Sequence, residues 1–167
     1  MIPLVTRDNI DGSSQWNIIL TKRAVHLKHH AGEISFPGGR RELSDSNLIQ
    51  TALRESHEEI GIQPEAVKII GRLPKQKTIS QYLVTPFVAK ISSNSQLKLD
   101  KNEVESAFEI PLNFALNKAN HQQVKQTFNR RDFYFYVIHY HQYRIWGATA
   151  RMLVNLSYRL NPSQEID

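Results

Sequence analysis

Apolar and polar residues alternate over residues 2–6 and again over residues 16–21, and Asn9, Asp11 and Gly12 between the two runs are turn formers. This pattern predicts a β-hairpin. A different period takes over downstream. Leu48, Ile49, Ala52, Leu53 and Ile60 recur at three- and four-residue steps, drawing one apolar stripe along an amphipathic helix. Ser44, Asp45 and Ser46 are its candidate N-caps, because a side-chain oxygen there can accept from an unpaired N–H of the first turn. Gly61 can take the left-handed conformation that stops it. Residues 66–73 and 82–91 read as further strands, with Pro86 confining the second to a sheet edge or a bulge. Lys75, Lys77, Thr78, Ser80 and Gln81 form a polar loop between them.

Farther along, residues 92–95 predict a turn, residues 100–105 a helical turn ahead of Ile110, Pro111 and Leu112, and residues 114–127 carry mixed helical spacing. Arg130, Arg131 and Asp132 turn into an aromatic and β-branched strand over residues 133–140. Aromatics beside two arginines can stack bases, but a sheet core supplies the same pattern and is the reading taken here. Residues 145–150 end a strand and start a last helix, with Met152, Leu153, Leu156 and Leu160 as its buried stripe. Strands interrupted by one central helix and closed by another argue for an α/β fold, a mixed sheet packed between helices.

The 167 residues fit one domain, residues 1–167, and 40% hydrophobic with 22% charged residues is ordinary for a soluble globular chain. No apolar run is long enough to cross a bilayer, and the first residues carry no signal-peptide pattern, so the expected location is the cytoplasm. The absence of cysteine removes disulfides, thiol nucleophiles and cysteine-based zinc sites. A net charge of +5 favours anionic partners, and Lys22, Arg23, Lys28, Arg40 and Arg41 crowd the approach to the central helix.

That helix carries the candidate chemistry. At helical spacing Glu55, Glu58 and Glu59 fall within an arc of about 100°. Carboxylates that close repel unless a cation sits among them, and hard oxygen donors suit Mg²⁺ or Mn²⁺ rather than zinc. Arg54 can reach Glu58 one turn on. Standing alone, Arg54-Glu55-Ser56-His57-Glu58-Glu59 would read as a solvated face with i,i+4 pairs. It does not stand alone: Phe36-Pro37-Gly38-Gly39 precedes it and Gly61-Ile62 follows. The whole stretch resembles the Nudix box. It departs in three places: Asp45 stands where the box has its first glutamate, eight rather than seven residues separate Asp45 from Arg54, and Ser56 replaces a bulky aliphatic residue.

Upstream, Arg23 and Lys28 offer cationic donors for phosphate, while Gly32, Gly38 and Gly39 let backbone approach a ligand closely. Residues 19–39 are similar to the second motif of the coenzyme A diphosphatase branch of Nudix hydrolases, with Ile19, Ala24 and Lys28 as mild replacements. The branch also has the longer spacer and a small residue after Arg-Glu. Its usual Thr-x-Ser-Gly-aromatic segment is Thr78-Ile79-Ser80-Gln81-Tyr82 here, so Gln81 departs from it and makes close backbone approach doubtful. Many relatives carry an N-terminal extension ahead of the first strand, and a strand that opens at residue 2 implies that this chain lacks one or naturally starts elsewhere.

The resemblance implies a Nudix α/β/α sandwich and metal-assisted hydrolysis of the diphosphate of coenzyme A or an acyl derivative, with Mg²⁺ or Mn²⁺ as cofactor. It implies Glu55, Glu58 and Glu59 as metal ligands, with Glu58 alternatively the base, Arg54 as the residue orienting them, and Glu103 as an extra ligand or base. The implied substrate-binding set is Arg23, Lys28, Gly32, Phe36, Gly38, Gly39 and Arg40. The expected partner is a small coenzyme A-like diphosphate, with no membrane and no nucleic acid; a homodimer is compatible with the reading. The alternatives are a Nudix hydrolase of ADP-ribose, a dinucleotide or a nucleoside triphosphate, and a nucleotide- or RNA-binding module of the same fold without turnover. His26, His29 and His30 lack a third soft ligand at a telling spacing and are read as surface or hydrogen-bonding residues, and His57 as exposed.

Overall fold

The computed structural model describes residues 1–78, 81–128 and 131–160. In chain order its first half contains β1 (Ile2–Asp8), β2 (Ser14–Arg23), β3 (Ile34–Ser35), α1 (Leu48–Ile60), β4 (Val67–Arg72), β5 (Gln76–Lys77), β6 (Leu83–Val84) and β7 (Phe87–Ile91). The second half contains β8 (Val104–Pro111), α2 (Leu112–Leu116), β9 (Gln122–Phe128), β10 (Arg131–Tyr140), β11 (Tyr143–Trp146) and α3 (Gly147–Leu160).

The predicted hairpin forms, with β1 and β2 antiparallel in the register Leu4↔Ile18 to Asp8↔Ser14. β2 is the strand with the most partners in the main sheet. It also pairs with β3 through Thr21 and Lys22, and with β8 from Asn17 to Arg23. β1 continues in parallel to β7, and β7 is antiparallel to β4, so the main sheet is mixed and runs β3-β2-β1-β7-β4 with β8 on β2. β11-β10-β9 make a second sheet, and β5 with β6 a short ribbon.

The period-two alternation of the central strands divides the interior in two. Ile2, Leu4, Ile18, Leu20 and Val88 face α3, packing with Leu153 and Leu156. Val5, Ile19, Phe87, Ala89 and Ile91 face α1, packing with Ala52 and Ile60. Each fully buried isoleucine, leucine or valine among them, such as Ile2, Ile18 and Leu20, contributes about 1.5–3 kcal/mol relative to exposure.

Several elements differ from the sequence reading. The N-cap of α1 is Asn47, whose Oδ1 accepts from Ile49 N (2.9 Å) and Gln50 N (3.1 Å), rather than Ser44, Asp45 or Ser46. Leu48 and Ile49 are 43% and 39% exposed, because the inner face of α1 lies on a glycine turn and runs through Thr51, Ala52, Ser56, Glu59 and Ile60. Gly61 does end the helix, at φ 73°. Pro86 splits its predicted strand into β6 and β7; β7 is interior, and the bulge lies opposite, where Ile70 is the extra residue of β4. After a turn closed by Val104 N on Asp100 O (2.8 Å), residues 104–111 are a strand, since pairing with β2 outweighs the local helix signal. Residues 114–127 give the end of α2 and most of β9, a polar strand that only its pairing with β10 defines. Leu160 is exposed rather than buried. Ser80 and Arg130 lie outside the described residues. No helix among the described residues is long and apolar enough to cross a membrane.

Candidate active site

The turn after β3 and the inner face of α1 meet without clearance. A Cβ on Gly39 would lie 2.4 Å from the carboxylate of Glu55, so only glycine fits there unless that carboxylate moves. Gly38, at φ 148°, adopts a backbone that side-chain-bearing residues avoid, and its N–H donates to Glu59 Oε2 at 3.2 Å. The turn is fixed from behind by Met1 N, which donates to Pro37 O at 2.6 Å. Phe36 is not part of the cleft; it packs in the core beside Ile34. Gly32 serves its own loop, at φ 71° with its N–H on Arg23 O (3.2 Å).

Glu59 is 3% exposed. Burial pushes its carboxyl up to about 7; the Gly38 N–H and Arg23 pull it down, and the charges of Glu55 and Glu103 push it up again. Glu55 is half-buried and raised for the same first reason, with Arg54 opposing and Glu58 and Glu103 adding to it. Glu58 stands outward, its side chain 53% exposed. The three acids therefore share a helix face but not one pocket, and no group of three His, Asp or Glu side chains stands ready-made for a metal among the described residues.

Arg54 ties the site together. Its Nη1 is 2.8 Å from Glu58 Oε2 and 3.1 Å from Glu55 Oε1, and its Nη2 donates to Arg40 O at 2.9 Å. On its other side Nε and Nη2 donate to the buried Asp45 at 3.1 and 3.0 Å. Asp45 also accepts from Glu42 N and Thr51 Oγ1, both at 2.9 Å. These bonds, those from Arg54 first, hold the Asp45 carboxyl well below the usual range. The position where the box has its first glutamate thus faces the arginine, not the cleft. Ser56 is fully buried with its hydroxyl on Ala52 O (2.7 Å), which leaves no room for a bulky aliphatic side chain.

Glu103 reaches the site from a loop built on the end of α1. Lys98 N donates to Ile60 O (2.9 Å) and Asp100 N to Glu59 O (3.0 Å), satisfying carbonyls that a helix end leaves open. Glu103 O then accepts from Ala24 N at 2.8 Å. Arg23 Nη1 lies 3.8 Å from Glu59 Oε1, and Arg23 Nε is buried without a partner. The other cations differ in what they touch. Lys22 pairs with Glu105 (2.6 Å), Arg41 donates to Asp45 O (3.0 Å), Arg40 lies on Tyr82, and Lys28 is exposed on the loop. His26 meets Asn102 O, His30 meets Glu33, and His57 is exposed. The sequence offers Asp45 as an N-cap and not as the partner of Arg54, for which its departure from the box is the available signal, and it gives Tyr82 no role in the site.

Buried carboxylate oxygens with raised affinity for a proton, next to further acids, suit a hard divalent cation, which needs only one or two carboxylates when water and phosphate complete its shell. The donor set fits such an ion.

A sequence profile described as NUDIX domain matches residues 4–132. Proteins called "Uncharacterized Nudix hydrolase NudL" from Enterobacter sp. (strain 638) and Salmonella newport (strain SL254) are each 36% identical over 160 residues, covering 96% of this chain and 80% of theirs. Among solved structures, a MutT/nudix family protein from Enterococcus faecalis superposes at TM-score 0.56 with 10% identity, over 98% of this chain and 61% of that one. A C. elegans Ap4A hydrolase binary complex superposes at 0.52 with 18% identity, over 66% and 77%. These structural matches share the fold, with its mixed sheet and helices. The profile and the relatives go further, and the chain belongs to the Nudix hydrolases, enzymes that act on phosphoanhydride bonds.

Proposed function

We propose that residues 1–167 form one catalytic domain that hydrolyses the diphosphate of coenzyme A, or of an acyl derivative, to 4′-phosphopantetheine or its acyl form and adenosine 3′,5′-bisphosphate. One observation carries the reading: the segment that resembles the coenzyme A branch is folded directly onto the acidic helix, with Arg23 at 3.8 Å from Glu59 and Gly38-Gly39 against Glu59 and Glu55.

A diphosphate repels an incoming hydroxide, so its charge must be screened and the attacking water and leaving phosphate placed. Bound Mg²⁺ or Mn²⁺ supplies Lewis acidity toward the diphosphate oxygens and toward water. Glu55 and Glu59 are the carboxylates that would hold it. Arg54, itself held by Asp45, fixes the rotamers of Glu55 and Glu58, and Glu58 or Glu103 accepts the proton of the attacking water. Arg23, partly exposed and with Nη1 at 3.8 Å from Glu59 Oε1, is the cationic donor for a phosphate oxygen. Gly39 keeps backbone close enough for the chain to reach past Glu55.

The test is a panel of coenzyme A, an acyl-coenzyme A, ADP-ribose, a dinucleotide and a nucleoside triphosphate with and without Mg²⁺ or Mn²⁺. Coenzyme A or its acyl form is expected to exceed the others in kcat/KM by about tenfold or more. Preference for ADP-ribose or a dinucleotide would reassign the substrate and leave the metal chemistry standing. A chain that binds nucleotide equally well as wild type and as Glu59→Gln, with no turnover in either, would be a binding module.

A further inference from the structure

Arg40 and Tyr82 make a contact that neither the carboxylate chemistry nor the packing of the sheet uses. Arg40 follows Gly39, the residue in contact with Glu55, and consecutive Cα atoms lie about 3.8 Å apart. Its carbonyl is pinned by Arg54 Nη2 at 2.9 Å, the same guanidinium that holds Glu55 and Glu58. Its side chain therefore starts at the rim of the acidic site. The guanidinium then lies over the ring of Tyr82, with Cζ 4.5 Å from the ring centroid, and donates to the tyrosine hydroxyl.

Tyr82 directly precedes β6 and is tied to Thr78, which directly follows β5. Tyr82 N donates to Thr78 Oγ1 (3.1 Å), and Thr78 N donates to Tyr82 O (2.9 Å). Gln81 adopts φ 68°, a left-handed conformation that a glutamine takes at a cost of about 1 kcal/mol. Tyr82, the next residue, lies beside Arg40. Even so Tyr82 is 47% exposed and belongs to neither hydrophobic cluster. A rigidly presented arene with a guanidinium on it, half open to solvent at the edge of a phosphate-cleaving site, is a surface for another flat group.

We propose that the Arg40–Tyr82 stack is a specificity-determining platform that holds the purine base of the substrate while the diphosphate lies at Glu55 and Glu59. It rests on the reading of the site as one for an adenine-bearing diphosphate, and deepens it: the base is recognised through its face, so affinity follows ring area rather than base edges.

AMP and ribose 5-phosphate have no phosphoanhydride to cleave and differ only in the base, so their affinities can be measured by calorimetry on the full chain with Mg²⁺ present. Wild type should bind AMP more tightly than ribose 5-phosphate. Tyr82→Ala and Tyr82→Leu should weaken AMP about tenfold or more, with ribose 5-phosphate unchanged. Tyr82→Phe and Tyr82→Trp should keep the preference, and in Tyr82→Trp the added indole emission should be quenched by AMP and not by ribose 5-phosphate. Equal loss of both ligands in Tyr82→Ala, or no preference for AMP in wild type, overturns the platform; the exposed position of Tyr82 lets the folded state be checked by Tm for each variant. Because adenine is common to coenzyme A and ADP-ribose, a chain that cleaves the second but not the first, yet needs Tyr82 for AMP, would lose the substrate assignment alone.

Discussion

Replacing Gly39 by alanine should separate activity from stability. The added Cβ would sit 2.4 Å from Cδ, Oε1 and Oε2 of Glu55, whereas ordinary contact begins at 3.4 Å, so the carboxylate has to retreat by the difference of 1.0 Å. Glutamate is flexible and the displaced atoms are its far end, so the fold absorbs the change. Gly39 lies outside the left-handed region, and a glycine-to-alanine change without strain stabilises by about 0.4–1 kcal/mol through the unfolded chain. A displacement of that size in a reacting constellation costs about 10²-fold in rate, equivalent to about 2.7 kcal/mol of transition-state stabilisation. The assay is kcat/KM on the best diphosphate of the panel with saturating Mg²⁺, alongside thermal unfolding. We expect a Tm at or slightly above wild type and a loss of about two orders of magnitude in kcat/KM. Wild-type kcat/KM in Gly39→Ala would refute the placement of Glu55 at the reacting centre. A parallel fall in Tm and activity would refute the claim that the clash is absorbed by one side chain.

Three further outcomes follow from the same geometry. The raised carboxyl of Glu59 implies that the metal-free protein loses stability as pH rises from the unfolded value near 4.5 through about 7, by at most about 3 kcal/mol; in EDTA, Glu59→Gln should therefore gain Tm over wild type as pH goes from about 5, on the acid side of the shift, to about 8, on its alkaline side, while losing turnover, and a constant Tm difference would count against the shift. Asp45→Asn removes the charge that aligns Arg54, and should lower kcat about 10- to 100-fold, as loss of an outer partner does, with KM little changed; an unaffected kcat would deny Arg54 its positioning task. Arg7 clamps Glu109 at 2.6 Å; burial raises that carboxyl, but hydrogen bonds from Arg7 and Asn17 more than offset it and hold it low. Its stabilisation is present above the unfolded carboxyl range and disappears as pH falls through the depressed value. Arg7→Ala should cost about 1 kcal/mol at neutral pH after discounting for the pair's partial exposure, with the deficit in urea unfolding closing in acid.

Much of this was legible in the sequence because it is local. Alternation in residues 2–6 and 16–21, Gly61 as a stop and Arg54 reaching Glu58 follow from backbone periodicity alone, and each is present. What was illegible depends on partners distant in sequence. β8 exists because Asn17 to Arg23 pair with it, more than eighty residues away; β9 exists because β10 does. The apolar residues of α1 do not mark its inner face, because that face meets a glycine turn and admits Ser56 and Glu59. Phe36 was assigned to substrate by its place in a motif, and the core claimed it. Asp45 reads as an N-cap and as a departure from the box's first glutamate, whereas its carboxylate accepts from Arg54, a contact that local periodicity does not specify.

The register between β2 and β8 slips at one point: Lys22 pairs with Ser106 and Arg23 with Val104, so Glu105 is one residue more than the ladder needs. Upstream of the slip the facing of side chains is inverted. Ile110 and Phe108 point toward α3, yet Val104 is buried on the side of α1. That half-turn of the strand delivers Glu103 to Glu55 and Glu59 and keeps Lys22 tethered to Glu105. Remove Glu105 by deletion and the strand would zip flush, Val104 would swing to the opposite layer, and the fourth acid would leave its neighbours. The gathering of acids at the end of α1 is thus written partly as a surplus of one residue in a β-ladder, a kind of information that no list of side chains contains.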